Sequence, residues 1–109
     1  KDSLARLQLD MAQLGHHFPE VRSMLIADRE GQVQASNLSE TPQWNISDRA
    51  YFQQAREQAP DRPQFSEPLL DKGDARPIVI AYRSILDPDG RFAGLVAVAL
   101  DLRKYLAKN

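Results

Sequence analysis

The chain has 109 residues, enough for one domain, and 42% of them are hydrophobic, which suffices for a single modest core. Its formal net charge is −1 and its Lys and Arg residues are dispersed, so composition argues against nucleic acid or an acidic membrane surface as a partner. The absence of cysteine excludes disulfide frameworks, Cys-ligated zinc and thiol nucleophiles, and it suits the periplasm, although many cytosolic domains lack cysteine as well.

Leu4, Leu7, Met11, Leu14 and Phe18 recur at spacings of three and four, which predicts an N-terminal helix with one apolar face over 1–18. That face either packs on the domain's own sheet or also meets its twin in a homodimer, and the two can hold together. A strand follows from Val21 to Asp28, then a turn at Arg29-Glu30-Gly31 and a second strand from Gln32 to Ser36. The polar stretch from Asn37 to Asn45 reads as a loop that delivers Trp44 to a short helix. Ser47 suits the N-cap of that helix, Asp48 its first turn, and Tyr51, Phe52, Ala55 and Ala59 its apolar spacing. Pro60 and Pro63 end it. Three strands come next, from Phe65 to Leu70, from Ile78 to Leu86 and from Arg91 to Asp101, the last two joined by a tight turn at Asp87-Pro88-Asp89-Gly90. A C-terminal helix starts at Leu102. The order predicts an α+β, PAS-like fold: a five-stranded antiparallel sheet with the long N-terminal helix on one face and the short helix plus loops on the other.

Chemistry concentrates at Ile46-Ser47-Asp48-Arg49-Ala50-Tyr51-Phe52. The free N–H groups of a helix start beside a guanidinium suit a small anion such as a carboxylate. Period-2 alternation gives the last strand a face of small residues, Ala93, Ala97 and Ala99, with Leu95 and Asp101. Beside Ala81 and Arg83 of the preceding strand, such a face reads either as a pocket floor or as room for a closely packed helix. The opposite face, with Phe92, Val96, Val98 and Leu100, suits packing under the N-terminal helix. No glycine-rich phosphate loop or HExxH helix is present, and adjacent His16 and His17 point in different directions on a helix. Neither catalysis, a metal nor a cofactor is expected of this chain.

Asp-Arg-x-Tyr-Phe at 48–52, Ser-Glu-Pro at 66–68 and Gly-x-Phe-x-Gly at 90–94, in this order and spacing, resemble the Cache (PAS-like, PDC) extracytoplasmic sensor domains of bacterial membrane receptors. The resemblance covers roughly residues 21–105. It implies a small-molecule-sensing domain in 19–102 of a membrane-anchored signalling protein, with 1–18 a signalling or dimerisation helix and 103–109 leading toward a membrane span. The implied cytoplasmic output is a diguanylate cyclase first, then a histidine kinase or a chemoreceptor, and a second Cache half can follow in such receptors. Arg49 and Tyr51 match family positions that bind ligand carboxylates, and Trp44 can close over the pocket. The other readings are an ion pair of Arg49 with Asp48, Glu67 or Asp101, core packing for Tyr51, and a hydrophobic staple for Trp44. Amino-acid-binding members usually carry an acidic residue where this chain has Ala99, and Asp101 lies about 6–7 Å further along the strand. An organic acid is therefore expected over an amino acid. The alternatives to a sensor are a cytosolic PAS domain binding a partner or a haem or flavin, and a ligand-free dimerisation module.

Overall fold

A computed structural model describes residues 18–37, 44–58, 62–71 and 74–107. The expected N-terminal helix, His16, His17 and Ala59 lie outside the described residues. Chain order within them is β1 (Val21–Asp28), β2 (Val33–Ser36), α1 (Ala50–Gln58), β3 (Gln64–Phe65), β4 (Leu69–Leu70), β5 (Pro77–Leu86), β6 (Phe92–Asp101) and α2 (Leu102–Ala107). All strand pairs are antiparallel, in the order β2-β1-β6-β5-β3, with β4 also on β5. No helix among the described residues is long and apolar enough to cross a membrane.

The sheet has six strands where five were expected, because the strand read from Phe65 to Leu70 is broken in two. At the break the Ser66 N–H donates to the Ile80 carbonyl at 2.8 Å, and the Ile80 N–H donates back to Ser66 Oγ at 2.9 Å. A hydroxyl thus stands in for a main-chain carbonyl, and Pro68, which has no N–H, prevents the ladder from resuming until Leu69.

α1 lies on one face of the sheet and buries Tyr51, Phe52 and Ala55. These meet Ala27, Val33, Ile78, Ile80, Tyr82, Leu95, Ala97 and Ala99 in one core. Phe52 is fully buried, a contribution of about 1.5–3 kcal/mol from its side chain, and it stands edge-on to Phe92 with ring centroids 5.5 Å apart. Ser84 Oγ donates to the Ala55 carbonyl at 3.1 Å and ties the helix to β5.

The contact between Phe52 and Phe92 corrects the expected face of Phe92, and a β-bulge is the reason. Leu86 pairs with Phe92, but Ile85 pairs with Gly94, so Ala93 is an extra residue. Phe92 consequently shares a face with Leu95, Ala97 and Ala99 instead of with Val96 and Val98. The same extra residue decides what the hairpin places together. Continued without a bulge, the Leu86–Phe92 register would set Arg83 opposite Leu95 and Ala81 opposite Ala97. With it, Arg83 pairs with Val96 and Ala81 with Val98, while Tyr82 pairs with Ala97 and Ile80 with Ala99. Gly94 follows the bulge because β1 crosses it closely: a Cβ there would lie 2.5 Å from the Ala27 carbonyl oxygen.

Candidate functional site

The segment before α1 is fixed by backbone pairing to the β1–β2 turn. The Ile46 N–H donates to the Gly31 carbonyl at 2.8 Å, the Val33 N–H donates to the Trp44 carbonyl at 3.0 Å, and Gln32 bridges Asn45. Gly31 has φ +86°, and a Cβ on it would sit 2.7 Å from the Ser47 nitrogen, so only glycine permits this approach. Asn45 completes the turn. Its Nδ2 donates to the Glu30 carbonyl at 3.1 Å, and its Oδ1 accepts from both the Ser47 N–H and the Ser47 hydroxyl.

That use of Ser47 corrects the expected N-cap. With its hydroxyl committed to Asn45, Ser47 stays outside the helix, and the Arg49 carbonyl accepts the first helical bond, from the Gln53 N–H at 3.1 Å. Arg49 thus holds the cap position and α1 starts at Ala50. The Arg49 N–H is itself engaged by the Ile46 carbonyl at 3.0 Å, so the helix start offers one fewer free donor than the sequence suggested.

Arg49 and Tyr51 come together at this end. The Arg49 guanidinium lies near enough to the Tyr51 phenol for its charge to draw the phenol's pKa down, and it contacts Asp48 at a loose 3.7 Å, with Asp48 largely exposed. Burial pushes the Tyr51 phenol above its ordinary pKa, and the Arg49 charge opposes that shift only in part. A neutral phenol keeps its O–H as a donor, so the two residues present a cation and a hydroxyl donor at the same end of α1. The Tyr51 ring lies 5.8 Å from that of Tyr82, whose hydroxyl donates to Gln54 Oε1 at 3.1 Å.

The other expected site residues separate into two sets. Ala97 and Ala99 lie on the α1 face, beneath Tyr51 and opposite Tyr82 and Ile80. Trp44 is half exposed at the far end of the Trp44–Arg49 segment. Arg83 and Ala81 are on the opposite face, turned there by the bulge at Ala93, and Arg83 is exposed. Asp101 shares the α1 face but is fully buried and already engaged. Its Oδ1 accepts from the Lys104 N–H at 3.0 Å, and its Oδ2 faces Arg76 at 3.1 Å and Arg22 at 3.6 Å. It is therefore not Arg49's ion-pair partner, and it is a helix cap before it is anything else. Tyr82 and Gln54 were not among the expected site residues. Tyr82 was legible as a neighbour of Ile78 and Ile80 in the alternation, but choosing the face under α1 required the bulge.

The architecture is shared with solved extracellular sensor domains. The extracellular domain of rpHK1S-Z16, assigned as a histidine kinase, superposes with a TM-score of 0.80 at 20% identity, over 91% of this chain and 41% of that one. The sensor domain of the Vibrio cholerae histidine kinase DctB gives 0.70 at 18% identity, over 91% and 38%. The ligand-binding domain of the Pseudomonas aeruginosa amino acid chemoreceptor PctC, solved with GABA, gives 0.60 at 17% identity, over 94% and 54%. The chain thus spans between 38% and 54% of these structures. No protein-family model and no curated protein matches the sequence. At these identities the likeness establishes architecture, and the chain has the fold of the extracellular Cache (PDC-type) sensor domains.

Proposed function

We propose that this chain is the extracytoplasmic sensor domain of a membrane-anchored bacterial signalling protein and binds a small carboxylate at the start of α1. The observation that carries this reading is the Arg49–Tyr51 pair: a guanidinium whose contact with an exposed Asp48 is loose, beside a buried phenol that stays protonated. Arg49 supplies the charge-assisted bonds to the carboxylate and Tyr51 the neutral donor. An organic acid is favoured over an amino acid because β6 offers no free carboxylate for an ammonium group on the α1 face. Ala99 has none, and that of Asp101 is held by Lys104, Arg76 and Arg22. The solved chemoreceptor domain in complex with GABA keeps an amino acid as the competing ligand class.

In this reading residues 1–18 form the helix through which two copies meet, and residues 103–109 lead toward the membrane. The output module beyond it is a diguanylate cyclase, a histidine kinase or a chemoreceptor signalling region, the latter two being the kinds attached to the sensor domains of similar fold. Ligand binding shifts the terminal helices only by its differential affinity for their two arrangements.

The test is a thermal-shift screen of the purified domain against small carboxylates and amino acids, with Arg49→Ala alongside. Ligand at 100 times its dissociation constant stabilises the native state by about 2.7 kcal/mol. The expected result is a shift with a carboxylate that Arg49→Ala abolishes, the variant alone unfolding within about 0.5 kcal/mol of wild type as a partly exposed site allows. A ligand-induced shift that survives Arg49→Ala would remove the site from α1. A shift with amino acids alone would overturn the organic-acid preference.

A further inference from the structure

The densest charge cluster among the described residues lies where β6 ends and α2 begins. Asp101, the last residue of β6, has 1% of its side chain exposed, and its two oxygens serve two different elements. Oδ1 accepts from the Lys104 N–H at 3.0 Å and caps the first turn of α2. Oδ2 faces Arg76 Nη2 at 3.1 Å and Arg22 Nη1 at 3.6 Å, in neither case with hydrogen-bond geometry, so charge and not a directed bond holds it. Arg22 is the extra residue of a second bulge, in β1, and also binds Asp71 at 3.2 Å and Asp74 at 2.7 Å. Asp74 Oδ1 accepts from the Arg76 N–H at 3.2 Å, and the Asp71 N–H donates to the Arg76 carbonyl at 2.8 Å. Between them Ala75 takes φ 58°, a left-handed conformation that a residue with a Cβ adopts only under constraint.

We propose that Asp101 is an electrostatic latch that couples the position of Arg76, at the entrance to β5, to the docking of α2. A carboxylate is rigid and planar, so an Oδ2 that follows Arg76 away from its place turns Oδ1 off the Lys104 N–H. The helix is only six residues long and buries no side chain fully, so its first-turn cap carries an unusual share of what holds it in place. The Lys104 N–H, with the Arg76, Lys104 and Arg22 charges, keeps the Asp101 carboxyl below the ordinary carboxylate range and so ionised at neutral pH. The latch stands whether or not Arg49 binds a ligand.

Arg76→Gln tests it, because Arg76 meets the capping carboxylate and not the Lys104 N–H that the carboxylate caps. Amide exchange of the full chain is followed by NMR in wild type, Arg76→Gln, Arg76→Lys and Arg83→Gln. The expected result is exchange at Lys104 faster on the order of tenfold in Arg76→Gln, the scale of one weakened helix cap, with Ile80 and Ala97 in the sheet unchanged. Arg76→Lys, which keeps the charge, restores protection, and Arg83→Gln on the other face leaves it as in wild type. Lys104 exchange unchanged in Arg76→Gln overturns the latch. So does acceleration of Ile80 and Ala97 by the same factor as Lys104, or failure of Arg76→Lys to restore it.

Discussion

Two guanidinium–carboxylate groupings lie at different places on this domain, and they differ in how much of their charge is spent. At Asp101 the carboxylate is buried and shared by two arginines and a helix start, with its contacts inside the protein. At Arg49 the nearest carboxylate among the described residues is 3.7 Å away on a mostly exposed aspartate, and the phenol beside it is neutral. The first grouping resembles a structural ion-pair network, the second an incomplete one. An arginine that a fold has not neutralised is the one with binding energy left for an incoming anion, whereas a buried carboxylate held by two cations has little to give a ligand ammonium.

The largest effect that separates the two regions is expected from Phe52→Ala. Removing the ring that carries α1 against Phe92 should cost about 3–5 kcal/mol, read as a lower denaturation midpoint at unchanged m. Below the transition, faster amide exchange through local opening should be confined to the Arg49 end, and the Lys104 amide should keep its protection. Acidification should do the reverse, with a smaller and local effect. Asp101 and Asp74 both have folded values lowered below the ordinary carboxylate pKa, Asp101 chiefly by the Lys104 N–H, and Asp74 by the Arg76 N–H and the Arg22 guanidinium against an opposing desolvation. Their contribution is complete above the unfolded value and is lost as pH falls through the lower folded ones. Arg22, Arg76 and Lys104 face Asp101, with Glu20, Asp71 and Asp74 beside them, so a pH titration of amide exchange should release Lys104 in that window. The Tyr51 phenol stays protonated throughout, and the Arg49–Tyr51 pair should persist. The smallest effect is Tyr82→Phe, which removes one hydroxyl bonded to an exposed Gln54; water replaces that bond, and the cost should lie near 0.5 kcal/mol, the low end for a hydrogen bond, by chemical denaturation.

Much of the fold was legible because its signals are local. The Asp87-Pro88-Asp89-Gly90 turn carries its own chemistry: Asp87 Oδ1 accepts from the Asp89 and Arg91 N–H groups, both at 2.9 Å, and Gly90 takes φ +82°. The strands on either side alternate as period 2 requires. One inserted residue at Ala93 was not legible, and it moved Phe92 onto the α1 face while leaving Ala81 and Arg83 on the other. Ser47 was misread because a serine before a helix is a cap only if nothing nearer takes its hydroxyl, and Asn45 does. Asp101 shows the opposite case. An aspartate between an apolar strand and Leu102-Arg103-Lys104 carries an N-cap signature, and that local role outweighed its position on the α1 face. Arg49 beside Tyr51 was readable from their two-residue spacing, but the looseness of the Asp48 contact needed coordinates.

The substitution of a hydroxyl for a carbonyl at Ser66 has a consequence for how copies of this domain can be crowded together. An intact outer strand of six residues would present an uninterrupted row of amide groups, ready to accept a strand from a neighbouring molecule. Here that border is two stubs of two residues, Gln64–Phe65 and Leu69–Leu70, parted by Ser66-Glu67-Pro68. Phe65 and Leu70 remain exposed along it, the kind of apolar side chains that make a continuous border adhesive. Breaking the row denies them a template, so copies of this domain brought close together can keep such side chains outward without turning neighbours into sheet extensions.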